Sequence, residues 1–586
     1  MHTFEVKDEF YIDGKPVKII SGGIHYFRIV PQYWRDRLEK LKAMGCNTVE
    51  TYVPWNMHEP KKGQFNFEGM LDIKCFIETA QELGLYVIVR PSPYICAEWE
   101  FGGLPAWLLK EDGMRLRGSY EPYLEHVREY YARLFEILTP LQITKGGPVI
   151  MFQIENEYGY YGDDTGYLLT LMEYMKEAGV EVPYVTSDGP WGDALACGKV
   201  PGTLTTANFG SKVAGQFKVL RKYTDGPLMC MEFWVGWFDS WGCGKHNHSE
   251  LEENKKDLDD ALRLGNINIY MFIGGTNFGF MNGSNYYDNL TPDVTSYDYD
   301  AVLTEWGDIT PKYEAFKEII GRYVELPKVE FTTKIEKCAY GNCCRETGRV
   351  SLFAVLNDLA ECVTSTYPLS MEKLDQNYGY TLYRSRLTKE KSVEKLKLID
   401  ANDRAKVFVN QEHLITLYDR ELLKEHSVEC NSMTDGDNYI DVLMENMGRV
   451  NFGPKLEKQR KGVDGFIQIN GHAHFNWEHY ALPLDNVEKI DFTKEYKEGV
   501  PAFYRFVFDA EKVGDTFLEL EGWGKGCAFI NGFNLGRFWE IGPQKRLYVP
   551  GPLIRRGRNE IIVFETEGKT GDRIALVAEP DLGDCL

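Results

Sequence analysis

The sequence predicts an N-terminal (β/α)8 barrel followed by two all-β domains of the β-sandwich or jelly-roll type. From residue 17 to about residue 325, eight apolar, β-rich runs alternate with helical patterns, which is the order of a parallel α/β fold. After residue 325, short alternating runs separated by turn residues replace the helical segments, a pattern typical of antiparallel sandwiches. A chain of 586 residues is also too long for a single hydrophobic core.

The predicted barrel strands are apolar throughout rather than alternating, as expected of strands that are buried on both faces. They cover residues 18–27, 48–53, 85–90, 149–154, 184–186, 203–207, 228–233 and 267–273. Helical periodicity follows most of them, at residues 34–44, 71–83, 120–138, 167–177, 252–264 and 312–324. An open doubly wound sheet is the alternative, but the count of eight favours closure and no GxGxxG motif follows the first strand. A closed barrel of this kind places its active site at the carboxyl ends of the strands.

A weak internal repeat divides the β-rich half of the chain into two units. Residues 405–410 (AKVFVN) resemble residues 527–532 (CAFING), since each is a strand that runs into a turn containing asparagine. The predicted strands cover residues 350–355, 405–409, 439–442, 502–508, 517–520 and 561–564. The predicted domains are the barrel at 1–325, a linker with the first β-strands at 326–395, and jelly rolls at 396–485 and 486–586.

Charge and composition exclude several classes of function. The formal net charge of −22 repels phosphate backbones, so we expect no nucleic-acid partner. The longest uncharged span, 264–287, holds five Asn and five Gly, a composition that is too polar for a membrane helix. Charged residues at positions 5, 7, 8 and 9 interrupt any signal peptide, and the 13 cysteines are expected to be reduced thiols. We therefore predict a cytoplasmic protein.

No cofactor or metal is expected from the sequence motifs. There is no HExxH pattern, and the tripeptide GKT at 568–570 lacks the first glycine of a P-loop, where Val563 stands instead. The sequence leaves the oligomeric state open, a homodimer included.

Two carboxylates follow the fourth predicted strand, at Glu155 and Glu157. Residues two apart in a strand face the same side, so Gln153, Glu155 and Glu157 are expected to line the barrel interior. Glu157 is nearest the rim, and we predict it to be the functional carboxylate. Glu155 lies one layer deeper, and we predict a structural ion pair with a cation such as Arg90.

The seventh predicted strand also ends in a carboxylate, Glu232. Two carboxylates on one barrel rim suggest glycoside hydrolysis, in which one acid protonates the leaving oxygen while the other carboxylate attacks the anomeric carbon. Aromatic and polar residues follow the second and third strands at 50–56 and 90–100, and their rings would suit the C–H face of a sugar. An acid with this task must hold its proton near neutral pH, so the pKa of Glu157 is expected to be raised.

Several longer motifs carry a family resemblance, and it covers the barrel nearly end to end. They are residues 51–60 (TYVPWNMHEP), 95–105 (ICAEWEFGGLP), 146–158 (GGPVIMFQIENEY), 270–278 (YMFIGGTNF) and 532–539 (GFNLGRFW). Together they resemble the signature of glycoside hydrolase family 35 β-galactosidases, in the order in which that family has them. The resemblance implies a galactose-binding-like jelly-roll fold for the two β-domains.

The resemblance implies roles for individual residues. Glu157 would be the proton donor and Glu232 the nucleophile of a double displacement that retains the anomeric configuration. It also implies galactose contacts from Tyr52, Cys96, Ala97, Glu98, Asn156, Tyr270 and Tyr299. Strict strand alternation turns Asn156 away from Glu157, so a twist or bulge at the strand end would be needed to use both.

The expected function is that of a retaining exo-β-galactosidase, and the expected partner is a β-galactoside oligosaccharide or glycan. The compact architecture resembles the bacterial branch that releases β-1,3-linked galactose, as in galactosyl-β-1,3-GlcNAc. Trp234, Trp237 and Trp241 follow the nucleophile and are candidates to wall the leaving-sugar pocket. Two alternatives remain, a non-catalytic galactose-binding protein and a barrel glycosidase for another β-glycoside. The β-domains are expected to brace the barrel or form a subunit interface rather than bind sugar.

Overall fold

A computed structural model describes residues 2–91, 93–341, 344–388, 392–454, 456–571 and 573–585. Its N-terminal half is a closed barrel of eight parallel strands that follow one another in chain order around the ring. They are β1 (Ile20–Ile24), β2 (Thr48–Tyr52), β3 (Tyr86–Arg90), β4 (Val149–Gln153), β5 (Tyr184–Asp188), β6 (Leu204–Asn208), β7 (Met229–Trp234) and β8 (Asn266–Ile273). The predicted (β/α)8 barrel is confirmed.

Helices follow the barrel strands and cover their outer faces. They are Trp34–Ala43, Ile73–Glu82, Glu121–Leu138, Thr165–Glu177, Ala194–Gly198, Val213–Leu220, Leu251–Leu264 and Pro311–Ile320. Side-chain caps fix several starts, since Asp72, Asp164 and Thr310 each accept a hydrogen bond from a backbone N–H of the first turn. The helices after β5 and β6 were not predicted, because both are too short to show a clear helical period.

Shorter strands outside the closed ring lie before β1 and after β8 in the chain. Three of them, Phe4–Val6, Phe10–Ile12 and Lys15–Val17, form an antiparallel sheet before β1. After β8, the hairpin of Ser284–Tyr286 and Leu290–Pro292 pairs with a strand from the β-rich half, Val450–Phe452.

The β-rich half contains two sandwiches, each made of a larger and a smaller sheet. The first pairs a six-stranded sheet of Cys362–Ser365, Tyr380–Leu387, Arg404–Val409, Glu412–Tyr418, Asn438–Glu445 and Trp477–Leu482 with a four-stranded one of Lys395–Leu398, His426–Ser427, Ile467–Ile469 and His472–His474. The second pairs a five-stranded sheet of Arg345–Ser351, Ala502–Ala510, Lys525–Ile530, Phe533–Trp539 and Gly557–Glu565 with a three-stranded one of Thr516–Glu519, Arg546–Val549 and Ala575–Val577. A two-stranded ladder joins Ala401–Asn402 to Gly462–Val463.

The predicted strand at 350–355 is wrong beyond Ser351. A helix, Leu352–Leu359, begins there, and it buries Leu352, Val355, Leu356 and Leu359. These positions have the i, i+3, i+4, i+7 spacing of an amphipathic helix, which the short apolar run does not distinguish from a strand. The helix lies in a core between the two sandwiches. The segment 326–395, predicted as a linker with the first β-strands, contributes strands to both sandwiches.

No helix among the described residues is both long and apolar enough to cross a membrane.

Candidate active site

The chain leaves the barrel sheet directly after Gln153, and the two glutamates beyond it have left-handed backbones. Glu155 has φ 55° and Glu157 has φ 47°, conformations that cost side-chain-bearing residues energy and cluster at functional sites. The prediction that strand alternation continues to Glu157 is therefore wrong. Asn156, between the two, lines a cavity at the barrel mouth together with Glu157. The left-handed backbones of Glu155 and Glu157 thus bring Asn156 and Glu157 to the same cavity, a result that was expected to need a twist or bulge in the strand.

Glu155 is a structural residue, as predicted, but its partner is not Arg90. The Arg117 guanidinium donates to both carboxylate oxygens of Glu155, each across 2.9 Å, and Tyr167 Oη donates to Oε1 across 3.1 Å. The carboxylate also accepts from the backbone N–H of Asn156. These bonds fix the turn that carries Asn156 and Glu157.

Glu157 reaches the cavity through its partly exposed side chain. Asn208, the last residue of β6, donates from Nδ2 to Glu157 Oε1 across 3.0 Å. The amide is oriented by Ser187 on β5, whose hydroxyl donates to Asn208 Oδ1. Burial of the carboxyl group raises the pKa of Glu157 to about 8, and repulsion from the nearby Glu232 carboxylate contributes to the increase. The raised pKa matches the expectation for a general acid.

Glu232 is held by three donors near the end of β7. Tyr52 Oη and Arg90 Nη2 lie 2.6 and 2.7 Å from Oε1, and Trp234 Nε1 donates to Oε2 across 3.0 Å. Hydrogen bonds from charged or polar donors stabilise an ionised carboxylate. Both oxygens of Glu232 are thus bound by donors, and the residue lines the cavity.

Arg90, at the end of β3, links the residues around Glu232. Its side chain is fully buried, donates to Gln153 Oε1 across 2.9 Å and to Asn156 Oδ1 across 2.7 Å, and stacks over the Tyr52 ring. Sequence reasoning missed this role, because it paired Arg90 with Glu155. The signal available was a charged residue at the end of an otherwise apolar strand.

The loop after β3 builds one wall of the cavity. Cys96, Ala97 and Glu98 have successive φ values of 57°, 53° and 50°, and all three line the cavity. Arg28 Nη2 donates to the Ala97 carbonyl, and Tyr297 Oη donates to Glu98 Oε2, each across 2.5 Å. Burial raises the pKa of Glu98 to about 7.

Most of the sequence-predicted site residues meet around this cavity. Its lining includes Cys96, Ala97, Glu98, Asn156, Glu157, Glu232, Trp234, Trp237, Tyr270 and Tyr299. Tyr52 lies beneath it, fully buried against Glu232. Trp241 is buried and does not line it. The lining residues that were missed are Ile95, Tyr160, Phe238, Asn285, Tyr287 and Phe452.

The first β-sandwich contributes directly to the cavity wall through Phe452. Its strand, Val450–Phe452, pairs with Ser284–Tyr286 of the barrel. The neighbouring Arg449 is fully buried, and its guanidinium nitrogens lie 2.5 Å from carboxylate oxygens of Glu100 and Glu372. Asn451 Nδ2 reaches Cys96 Sγ across 3.6 Å. No local sequence signal could place Phe452 here, since it lies 220 residues beyond Glu232.

Among the described residues, no group of three or more His, Cys, Asp or Glu side chains is arranged to hold a metal ion.

Comparison with known proteins agrees with this geometry. Residues 9–323, more than half of the chain, match "Glycosyl hydrolases family 35". The chain belongs to glycoside hydrolase family 35. Residues 368–483 match the first all-beta domain of β-galactosidases, and residues 501–559 match their galactose-binding domain.

Full-length relatives extend the family match to both β-domains. Human "Beta-galactosidase-1-like protein 2" is 40% identical over 594 residues, covering 98% of this chain and 91% of the relative. The "Beta-galactosidase" of Xanthomonas manihotis is 39% identical over 555 residues, covering 92% and 90%. "Beta-galactosidase 1" of Dictyostelium discoideum is 37% identical over 601 residues, covering 94% and 88%. The family resemblance predicted from the motifs is confirmed, and the protein is a glycoside hydrolase of the β-galactosidase type.

Proposed function

We propose that this protein is a retaining exo-β-galactosidase that releases terminal β-D-galactose, with Glu157 as acid/base and Glu232 as nucleophile. The observation that carries the proposal is the contrast between the two carboxylates at one cavity. The pKa of Glu157 is raised to about 8, whereas Glu232 accepts hydrogen bonds from Tyr52, Arg90 and Trp234. Two carboxyl groups with opposite environments supply the acid and the nucleophile of a double displacement.

In the first step, Glu232 forms a bond to the anomeric carbon while the bond to the leaving oxygen breaks. Glu157 gives its proton to that oxygen. In the second step, the Glu157 carboxylate takes a proton from water, and the water oxygen attacks the anomeric carbon and frees Glu232. The negative charge of Glu232 contributes to the raised pKa of Glu157. Esterification removes that charge, so the pKa of Glu157 falls when the residue must act as a base.

The galactose would be held by the walls around the two glutamates. Cys96, Ala97, Glu98, Asn156, Tyr270 and Tyr299 line the cavity, and Tyr52 would act through its bond to Glu232. Glu98 lines the cavity and accepts from Tyr297, and its carboxyl group would also meet a sugar hydroxyl there. Fully buried Tyr52 and Arg90 lie against Glu232, and a cavity that ends at such buried side chains would admit a terminal sugar, which is the basis for proposing exo action.

A preference for β-1,3-linked galactose is part of the proposal. Its support is the aromatic wall of Trp234 and Trp237 beside the nucleophile, which would orient the leaving sugar by stacking. Equal rates on galactosyl-β-1,3-GlcNAc and its β-1,4 isomer would contradict this preference while leaving the galactosidase activity intact.

A panel of nitrophenyl glycosides tests the proposed activity. We expect hydrolysis of the β-galactoside, little turnover of the β-glucoside and β-mannoside, and β-galactose as the first product by NMR. No turnover of any substrate would favour a galactose-binding protein, and α-galactose as the first product would exclude retention.

A further inference from the structure

An exposed tryptophan lies just outside the active-site cavity. Trp191 follows the end of β5 and is 43% exposed. Its ring is nearly parallel to that of Trp234, with an interplanar angle of 16° and ring centroids 5.9 Å apart. Trp234 in turn donates to Glu232 and lines the cavity, whereas Trp191 is not part of the lining. Trp191 therefore continues the aromatic surface of the cavity outward by one ring.

The position of Trp191 is defined by close packing. A Cβ atom at Gly189 would stand 1.7 Å from Tyr160 Oη and 2.5 Å from Trp191 Cε3. Only glycine at position 189 allows the Tyr160 hydroxyl and the Trp191 ring to approach the backbone so closely. The ring is therefore held at the cavity mouth by Gly189, Tyr160 and Trp234, although one side of it faces solvent.

Several other aromatic rings are exposed around the same mouth. Trp237 and Tyr287 line the cavity and are exposed, as is Tyr160. Single exposed aromatics are ordinary, but a contiguous exposed group beside a cavity indicates a binding surface. Flat rings offer contact area with little loss of conformational entropy on binding, and sugars present a C–H face that can stack on them.

We infer that Trp191 is a platform for the sugar residue that follows the leaving sugar, so that the site binds β-galactosyl oligosaccharides of three or more units better than disaccharides. The inference rests on the proposed galactosidase function. The cavity holds the terminal galactose, Trp234 and Trp237 wall the leaving sugar, and Trp191 lies next along the aromatic surface. Trp191 is thus a specificity-determining residue for chain length.

The test compares two substrates that differ by one sugar. The kcat/KM values are measured for galactosyl-β-1,3-GlcNAc and for the same disaccharide extended by one further galactose at its reducing end. We expect the wild type to prefer the trisaccharide, and Trp191→Ala to lower the trisaccharide-to-disaccharide ratio about five- to tenfold. Trp191→Phe should restore part of the ratio, because a ring is again present.

Phe475→Ala is the matched control. Phe475 is also 43% exposed, but it lies in the first β-sandwich, packed on Tyr367, so the ratio should stay at the wild-type value. An unchanged ratio in Trp191→Ala, or an equal loss on both substrates, would overturn the inference. Failure of the wild type to hydrolyse nitrophenyl-β-galactoside would instead refute the underlying activity, so the two failures are distinguishable.

Discussion

The guanidinium of Arg90 binds Glu232 more closely than it binds Glu50. Nη2 is 2.7 Å from Glu232 Oε1, whereas Nη1 is 3.6 Å from Glu50 Oε1. Both Arg90 and Glu50 are fully buried, and burial raises the pKa of Glu50 to about 7. The cation at the base of the site therefore interacts more strongly with Glu232 than with the deeper carboxylate of Glu50.

The substitution Arg90→Lys should lower kcat about 100-fold. An ammonium keeps the charge, but it cannot reproduce the planar fork that reaches Gln153, Asn156 and Glu232 together. Steady-state kinetics on nitrophenyl-β-galactoside measure the change. Arg128→Lys is the control, since Arg128 forms an exposed pair with Glu177, and it should keep the wild-type kcat. A wild-type kcat in Arg90→Lys would refute the assigned role.

The activity of the wild type should decline as the pH rises through about 8. Glu157 must be protonated to act as the acid, and its pKa is raised to about 8. The basic limb of the kcat/KM profile reports this group. Asn208→Ala removes a hydrogen bond that favours the charged form, so the basic limb should move to higher pH. Ser187→Ala should move it in the same direction by less. A shift to lower pH would contradict the assignment.

The raised pKa of Glu157 also predicts a cost in stability. The folded-state pKa of about 8 exceeds the unfolded value of 4.5, so the folded protein binds the extra proton between these values. Stability therefore falls as the pH rises from about 4.5 to about 8, and the cost is complete above that range. Glu157→Gln removes the charge, so its Tm should exceed that of the wild type at pH 9 by roughly 2–4 °C. The difference should vanish near pH 4, and a constant difference across this range would contradict the account.

The first β-sandwich should be needed for both stability and the cavity wall. Arg449→Met leaves Glu100 and Glu372 buried without their cation, which should destabilise the protein by about 3–5 kcal/mol. The same substitution should displace the nearby Phe452 from the cavity wall, and KM for a disaccharide should therefore rise. Thermal unfolding and kinetics measure the two effects. Arg386→Met, at an exposed pair with Asp437, is the control. Equal Tm and KM values in the two variants would refute the role of the buried Arg449 ion pairs.

The sequence predicts those parts of this molecule that depend on short stretches of chain. The barrel strands are continuous apolar runs, and the carboxylates at 157 and 232 stand out against them. The backbone at Asn156 could not be derived, because strand alternation does not anticipate left-handed residues at 155 and 157. Contacts between distant segments, such as the place of Phe452 in the cavity wall, depend on domain packing and leave no local pattern. The short helices Ala194–Gly198 and Val213–Leu220 could not be predicted either, because one or two helical turns are too short to show a clear helical period.

Covalent trapping tests the central claim most directly. The wild-type protein is incubated with an activated 2-deoxy-2-fluoro-β-galactoside, digested and mapped by mass spectrometry. Because the fluorine slows both steps and the activated leaving group speeds only the first, the galactosyl-enzyme should accumulate on Glu232. Glu232→Gln should take up no label and should lack turnover, whereas Glu157→Gln should still be labelled at Glu232. A label on any other residue, or turnover by Glu232→Gln at the wild-type rate, would contradict the assignment of Glu232 as the nucleophile.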